Sequence, residues 1–283
     1  MPAPPDDARS FRAQTVSVVP CGDDGVILRV RPEPAQPPLR AARFFMLKRE
    51  DRLSPLIPRP FSLYRQPGGD LEFLIKVMGE GTRALAACAP GTSLRVIGPL
   101  GNGWPALPKD GPPPVLVAGG IGSAPFLMGI EQLLAGSHGN GRFTPSEVTF
   151  VFGAARSGLL YDHERFEALG VRCLYATDDG SKGLRGNVLD VLRAEQAAGR
   201  LPEQVRLLAC GPDPMLAALE RHARERELAC WLSLETVMGC GVGICNGCPV
   251  TALEDGRFAG WPNAKCCVEG PVFSTRDVTL QHA

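Results

Sequence analysis

The chain has 283 residues, 44% of them hydrophobic and 21% charged, and its 30 Lys and Arg balance its 30 Asp and Glu. Such a length suits two domains with a small appendage, and such a composition suits packed globular domains rather than a disordered chain. Zero net charge leaves no electrostatic footprint for nucleic acid or an anionic membrane surface, and three Trp and three Tyr offer little for single-stranded bases to stack on.

The start, MPAPPDDARS, is rich in Pro and carries two acids but no apolar signal core. The next hundred residues read as β structure. Apolar runs of strand length recur at 11–19, 25–32, 42–49, 58–65, 70–77 and 92–99, alternating clearly at 25–32 and 70–77 as half-buried strands require. PEPAQPP and QPGGD punctuate them, and a short helical stretch is expected at 82–89. Six short strands predict a small antiparallel β barrel over residues 1–106, and PALPKDGPPP (105–114) reads as a linker.

From 113 to 229 the period changes. Strands are expected at 115–120, 147–153, 171–177 and 205–211, with a last one at 230–235, and helices at 124–136, 163–170, 187–199 and 213–227. Strands alternating with helices of this length make βαβ units and a doubly wound parallel sheet, the α/β half of the expected fold. The most apolar stretch, 115–130, is broken by Gly, Ser and Pro and is too short to span a bilayer, so a cytoplasmic protein with no membrane association is expected. The segment 230–283 is set apart as a third, small domain by its cysteines.

Ten cysteines are many for a chain with no sign of secretion. Cys21, Cys88, Cys173 and Cys230 are scattered and read as buried small hydrophobes. Five others crowd into 240–267. MGCGVGICNGC (238–248) spaces Cys240, Cys245 and Cys248 as C-x4-C-x2-C, the plant-type [2Fe-2S] arrangement with a distant fourth cysteine. Gly241, Gly243 and Gly247 permit positive φ and bring backbone N–H groups close to sulfurs that carry negative charge. Structural zinc usually pairs two C-x2-C knuckles, and only Cys245 and Cys248 form one. The fourth ligand comes from the adjacent Cys266 and Cys267. On a strand they point in opposite directions, so only one faces the cluster, and spacing does not choose between them.

Two further loops have the character of phosphate sites. GGIGSAP (119–125) follows an expected strand and opens a helix; Gly119, Gly120 and Gly122 let a pyrophosphate approach the helix N-terminus, and Pro125 suits a first turn. CGPDP (210–214) ends a later strand, where Cys210 and Gly211 either frame the same nucleotide or are simply a buried thiol and its turn, with Asp213 a candidate N-cap. Asp178 and Asp179, after another strand, contact ribose hydroxyls or cap a turn, and Arg156 offers a cation to a 2′-phosphate, which leaves NAD and NADP both open. In the barrel, RPFSLY (59–64) sits on an expected strand: Arg59 suits a phosphate, Ser62 an isoalloxazine edge, and Tyr64 stacking on an aromatic ring. GEGT (79–82) follows another strand, with Gly79, Gly81 and Thr82 placed for a pyrophosphate.

In this order, the R-P-x-S of residues 59–62, the G-x-G-T of 79–82, the G-G-I-G of 119–122 and the C-G-P of 210–212 resemble the ferredoxin-reductase superfamily. With the cysteine-rich C-terminus, the SLE run (233–235) before MGCGVG and the CVEGPVF run (267–273), nearly the whole chain is similar to the electron-transfer subunits of class 1B dihydroorotate dehydrogenases. The span between Cys248 and Cys267 and the overall length exceed that family's usual pattern. The resemblance selects Cys267 as fourth ligand. It implies FAD held by Arg59, Pro60, Phe61, Ser62, Leu63, Tyr64, Gly79, Gly81 and Thr82, and NAD framed by Gly119, Gly120, Gly122, Cys210 and Gly211. It also implies an FMN-containing dihydroorotate dehydrogenase partner in a heterotetramer serving pyrimidine (UMP) biosynthesis. The competing readings are the same conduit serving a sulfhydrogenase, glutamate-synthase-like or transhydrogenase complex, a self-contained NAD(P)H-dependent reductase feeding an oxygenase, and a redox- or iron-sensing regulator without turnover.

Overall fold

The computed structural model describes residues 8–280; the Pro-rich start at 1–7 lies outside the described residues, as do 281–283. Alternating burial drives the first half. Strands β1 (Arg9–Cys21), β2 (Gly25–Glu33), β3 (Phe44–Arg49), β4 (Arg59–Ser62) and β5 (Leu71–Lys76), the short helix α1 (Glu80–Ala86) and β6 (Ser93–Leu100) follow in chain order. The strands form one sheet, β4-β3-β6-β1-β2-β5, in which every pair is antiparallel. Its two edges meet where the Glu72 N–H donates to the Arg65 carbonyl (2.8 Å) and the Tyr64 N–H to the Glu72 carbonyl (2.9 Å), which nearly closes the barrel. Phe11, Phe45 and Phe73 fill its interior edge-to-face, with centroids 6.4 and 5.6 Å apart.

The second half is a seven-stranded sheet. Strands β7 (Pro114–Gly119), β8 (Thr149–Ala154), β9 (Arg172–Thr177), β10 (Leu184–Arg185), β11 (Arg206–Cys210) and β12 (Ala229–Ser233) are parallel, in the order β10-β9-β8-β7-β11-β12. Helices α2 (Leu127–Ala135), α3 (His163–Glu167), α4 (Val188–Ala197) and α5 (Asp213–Glu225) connect them. The chain passes from β7 to β8 on one side and returns to β11 on the other, so strand order reverses at β7 and a crevice opens at the carboxyl ends. The helix expected from 124 begins only at Leu127: residues 120–123 form a 3-10 turn, and the Ala124 and Phe126 N–H groups keep i→i+3 bonds across Pro125, which has none to give. Helix α4 starts on a capping box, the Asn187 side chain accepting from the Leu189 and Asp190 N–H groups while Asp190 accepts from the Asn187 N–H.

The cysteine-rich segment is less separate than its composition implies. The expected split between 229 and 230 falls at the start of β12, which belongs to the parallel sheet, and β15 (Val272–Ser274) returns to pair antiparallel with β12. Between them lie only loops and the three-residue hairpin strands β13 (Pro249–Thr251) and β14 (Asn263–Lys265). This segment is sewn to the barrel by Asn102, whose side-chain amide donates to the Glu269 and Val272 carbonyls (both 2.8 Å) and accepts from the Val272 N–H (3.1 Å). The linker is docked as well: the buried Arg206 guanidinium donates to the carbonyls of Pro112 (2.6 Å) and Pro108 (2.9 Å), and Trp104 stacks on Phe126 with centroids 5.1 Å apart. Among the described residues no helix is long and apolar enough to cross a membrane.

Candidate functional site

Three features converge where the barrel, the parallel sheet and the C-terminal segment meet. The first is a cavity of about 360 Å³ lined by Arg59, Pro60, Phe61 and Ser62 of β4, by Gly79, Gly81 and Thr82 at the start of α1, by Ile121 and Ala124, and by Leu234, Glu235, Thr236, Met238 and Pro271 of the C-terminal segment. A volume in this range suits a small-molecule cofactor site. Gly81 leaves room there: a Cβ would lie 3.2 Å from the Arg59 side chain and 3.3 Å from Pro55, so both would have to give by a few tenths of an ångström. Thr82 turns inward on its own loop, its hydroxyl accepting from the Met78 and Gly79 N–H groups (3.0 Å each), so it shapes the turn. Glu235 lines the cavity with its side chain exposed, and partial desolvation at that wall, with the Asp213 carboxylate nearby, holds its carboxyl above the usual range.

Two expected residues are elsewhere. Tyr64 does not present its ring for stacking: it is fully buried and its hydroxyl donates to Asp162 at 2.6 Å, tying the barrel to the nucleotide-type domain. Leu63, one residue earlier, is also fully buried and contributes its N–H to the Arg43 carbonyl. The cause is the end of β4 at Ser62, after which the chain bends to make the barrel-closing bonds instead of continuing along the cavity.

The second feature is a cavity of about 540 Å³ over the carboxyl ends of the parallel strands, lined by Gly119, Gly120, Ala154, Ala155, Asp178, Asn187, Pro212 and Met215 among others. Lys76 and Ile121 line both cavities, which makes them neighbours. Gly120 has φ +53° and open space around its Cα. Gly122, Cys210 and Gly211 do not line this cavity but hold its floor together. A Cβ at Gly122 would stand 2.4 Å from the Cys210 carbonyl oxygen, and one at Gly211 3.0 Å from the Gly119 backbone. Cys210 is buried, and burial pushes its thiol far up. The Asn187 capping box and the Pro212–Met215 turn, both on the cavity wall, were missed as site residues; the strand-to-helix order with Asn at a helix start was the signal available.

The third feature is the 240–248 loop. The Cys240 sulfur accepts from the Val242 and Cys245 N–H groups (3.4 Å each); burial raises its pKa but these donors outweigh it and bring the thiol to about 7. Cys248 lies 3.3 Å from Cys267, sulfur to sulfur; that thiol, with backbone N–H groups of 266 and 267, lowers Cys248 to about 6 while Cys267 is pushed up. The sulfurs therefore stand as two pairs, Cys240 with Cys245 and Cys248 with Cys267, and among the described residues no three His, Cys, Asp or Glu side chains close on a single ion. Gly241 (φ +71°) seats the loop on the barrel, where a Cβ would come within 2.8 Å of Met46. Cys266 faces away: it is fully buried, its thiol pushed up to about 12 by burial, and its sulfur bonds the Leu234 carbonyl at 3.4 Å.

Comparison with known proteins fits this layout. A family model described as the iron-sulfur cluster binding domain of dihydroorotate dehydrogenase B matches residues 235–279, and an oxidoreductase NAD-binding domain matches 116–221. Dihydroorotate dehydrogenase B (NAD(+)) electron transfer subunits are similar along most of their length. That of Lysinibacillus sphaericus is 36% identical over 84% of this chain and 86% of its own, that of Geobacillus kaustophilus 37% over the same shares, and that of Bacillus velezensis 34% over 90% and 91%. A chain of an NADH-dependent reduced ferredoxin-NADP oxidoreductase superposes with a TM-score of 0.77 at 25% identity, covering 95% of this chain and 90% of that one. A ferredoxin NADP+ reductase from Neisseria gonorrhoeae shares the fold at TM-score 0.62 and 19% identity, over 77% and 91%.

Proposed function

The chain belongs to the family of dihydroorotate dehydrogenase B electron transfer subunits, and from that membership we propose that it carries electrons from a partner's flavin, through a [2Fe-2S] cluster and FAD, to NAD+ in cytoplasmic pyrimidine biosynthesis. The partner is an FMN-containing dihydroorotate dehydrogenase catalytic subunit, and the working unit is a heterotetramer. When bound, FAD exchanges single electrons with an iron–sulfur centre and passes a hydride to NAD+, converting one-electron into two-electron chemistry.

The observation that carries this reading is contiguity. Cys267 is joined through the peptide bond to Cys266, the Cys266 sulfur bonds the Leu234 carbonyl, and Leu234 lines the cavity that Arg59 and Ser62 line. That cavity in turn shares Ile121 and Lys76 with the nucleotide crevice. The donor set suits a two-iron group, since two thiolate pairs match two irons where a single zinc needs four converging ligands. Arg59, with Gly81 leaving room beside it, would hold a flavin diphosphate, and Pro60, Phe61 and Ser62, which line the same cavity, would bind the rest of the flavin. Gly119 and Gly120 admit the pyrophosphate of NAD. Gly122, Cys210 and Gly211 keep β7 and β11 close enough for that crevice to exist.

The test is a visible spectrum of anaerobically purified protein before and after NADH, followed by coexpression with a catalytic subunit and assay of dihydroorotate-dependent NAD+ reduction. Flavin and cluster bands bleached by NADH, with turnover only in the complex, are expected. A spectrum with neither chromophore, or NADH oxidation feeding an oxygenase but no dihydroorotate turnover, overturns the reading.

A further inference from the structure

Gly243 stands between the two thiol pairs. Its φ is +83°, and a Cβ there would come within 2.7 Å of the Val268 side chain, so the loop lies against the residue that follows Cys267. The two peptide groups flanking Gly243 face different sulfurs. The Gly243 N–H is among the groups that favour a thiolate at Cys267, and the Ile244 N–H does the same at Cys240. Successive N–H groups about a residue of positive φ form a concave nest for negative charge.

One of these peptides is held from behind. The Lys265 ammonium, on β14, donates to the Gly243 carbonyl at 2.9 Å. A peptide is planar and its carbonyl and N–H point opposite ways, so a cation fixed on the Gly243 oxygen keeps the Ile244 N–H turned toward Cys240. Lys265 is itself anchored. Its N–H donates to the Glu269 carboxylate (2.5 Å), and its carbonyl accepts from the Val268 (3.0 Å) and Glu269 (2.9 Å) N–H groups. The ammonium makes no ion pair among the described residues, because Glu269 engages the backbone N–H instead. The Glu269 carboxylate works against negative charge at Cys248. Both side chains line a cavity of about 500 Å³ whose other wall is Val242, Gly243 and Ile244 of the cysteine loop.

We propose that Lys265 and Glu269 set the reduction potential of the iron–sulfur centre with opposite signs: Lys265 raises it, by orienting the Gly243–Ile244 peptide and by its charge, and Glu269 lowers it. Both are positioning residues that ligate no iron. The inference rests on the reading that Cys240, Cys245, Cys248 and Cys267 hold a [2Fe-2S] cluster. Taking up one electron adds one negative charge to a group that four thiolates already make anionic, so a neighbouring cation favours the reduced form and a neighbouring anion the oxidised form. The balance of the two charges decides how single electrons distribute between the centre and the flavin.

The test is an anaerobic redox titration of the full chain, poised with dithionite and mediator dyes and followed by visible absorbance and electron paramagnetic resonance, with iron and sulfide counted per chain. K265Q keeps a side-chain donor and E269Q keeps an acceptor, while each loses its charge. K265Q should move the one-electron equilibrium about tenfold toward the oxidised form, a potential about 59 mV lower, the scale of one unit charge at a partly screened site. E269Q should move it toward the reduced form by up to about tenfold, and K265R should stay within about twofold of the wild type. Iron and sulfide should match the wild type in all three. A loosened loop would instead move K265Q and E269Q the same way; that result, or no shift in either, overturns the proposal while leaving the cluster reading intact. Should K265Q not hold iron, E269Q decides: a shift toward the reduced form supports the proposal, and an unmoved or opposite one overturns it. A wild type without iron and sulfide overturns the cluster reading and the proposal with it.

Discussion

Cys266 and Cys267 are adjacent and both buried, yet their sulfurs have different surroundings. The Cys267 sulfur is 3.3 Å from Cys248, while that of Cys266 points to the Leu234 carbonyl. C267A should therefore lose most of its iron and its cluster absorbance. C266A should keep both and lose about 1 kcal/mol, the cost of a small buried cavity. Iron and sulfide per chain, with a thermal melt, separate the two, and a C266A protein that loses its cluster would reverse the ligand choice. The sequence made the C-x4-C-x2-C loop legible, because its spacing and glycines are local. Spacing left the fourth thiol open and only the resemblance chose Cys267, because that choice depends on which face of a two-residue step meets a loop about twenty residues away. Tyr64 shows the same limit. A Tyr two residues past Ser62 reads as part of the flavin wall, but the strand ends at Ser62 and the ring turns to Asp162, on an element nearly a hundred residues later.

At the scale of elements, the strands and helices of both main domains were legible from period and punctuation, while the strand pairs β12–β15 and β13–β14 were not, since strands of three residues carry no period. Glycine roles also needed the packed structure: Gly120 and Gly122 look alike in GGIG, but one faces an open crevice and the other a backbone. G122A forces a Cβ to within 2.4 Å of the Cys210 carbonyl oxygen, so β7 and β11 must separate at their ends. A loss of about 1–3 kcal/mol and weaker NAD+ binding are expected, measured by melting and calorimetry. Unchanged NAD+ affinity would mean that this close approach does not shape the crevice. In the barrel, Asp70 caps the turn before β5 and pairs with Arg29 (2.8 Å) and Arg31 (3.0 Å) on β2. Burial opposes its charge, but the two guanidinium groups prevail and hold its carboxyl below the usual range. Its contribution is thus present above the unfolded value near 4 and is lost as pH falls below it. D70N should cost about 1–2 kcal/mol at pH 7, a difference that shrinks as pH falls below about 4 in denaturant titrations. A difference that persists in acid would assign the effect to shape instead of charge.

For the whole molecule, the distribution of order predicts how it responds to loss of iron. One apolar core fills the barrel and continues through Trp104 and Phe126 onto one face of the parallel sheet. A second covers the other face and reaches Cys248, Cys266 and Cys267. The residues between β12 and β15 contribute little secondary structure of their own, only the β13–β14 hairpin, which is too short to persist unaided. What holds them is the Asn102 seam, the Gly241 seat on Met46 and the ligation that the thiol pairs are arranged to accept. Metal-binding free energy is folding free energy for such a segment. Chelation under reducing conditions should therefore open the region around 240–270 to protease and to amide exchange, while β1–β6 and the parallel strands stay protected and the flavin stays bound. The barrel has its own core, and the second core, although it reaches the cluster cysteines, is built mainly from the parallel sheet and its helices. Exchange that spreads through β3 and β6, the strands beneath the loop, would show instead that the cluster segment and the barrel fold as one cooperative unit.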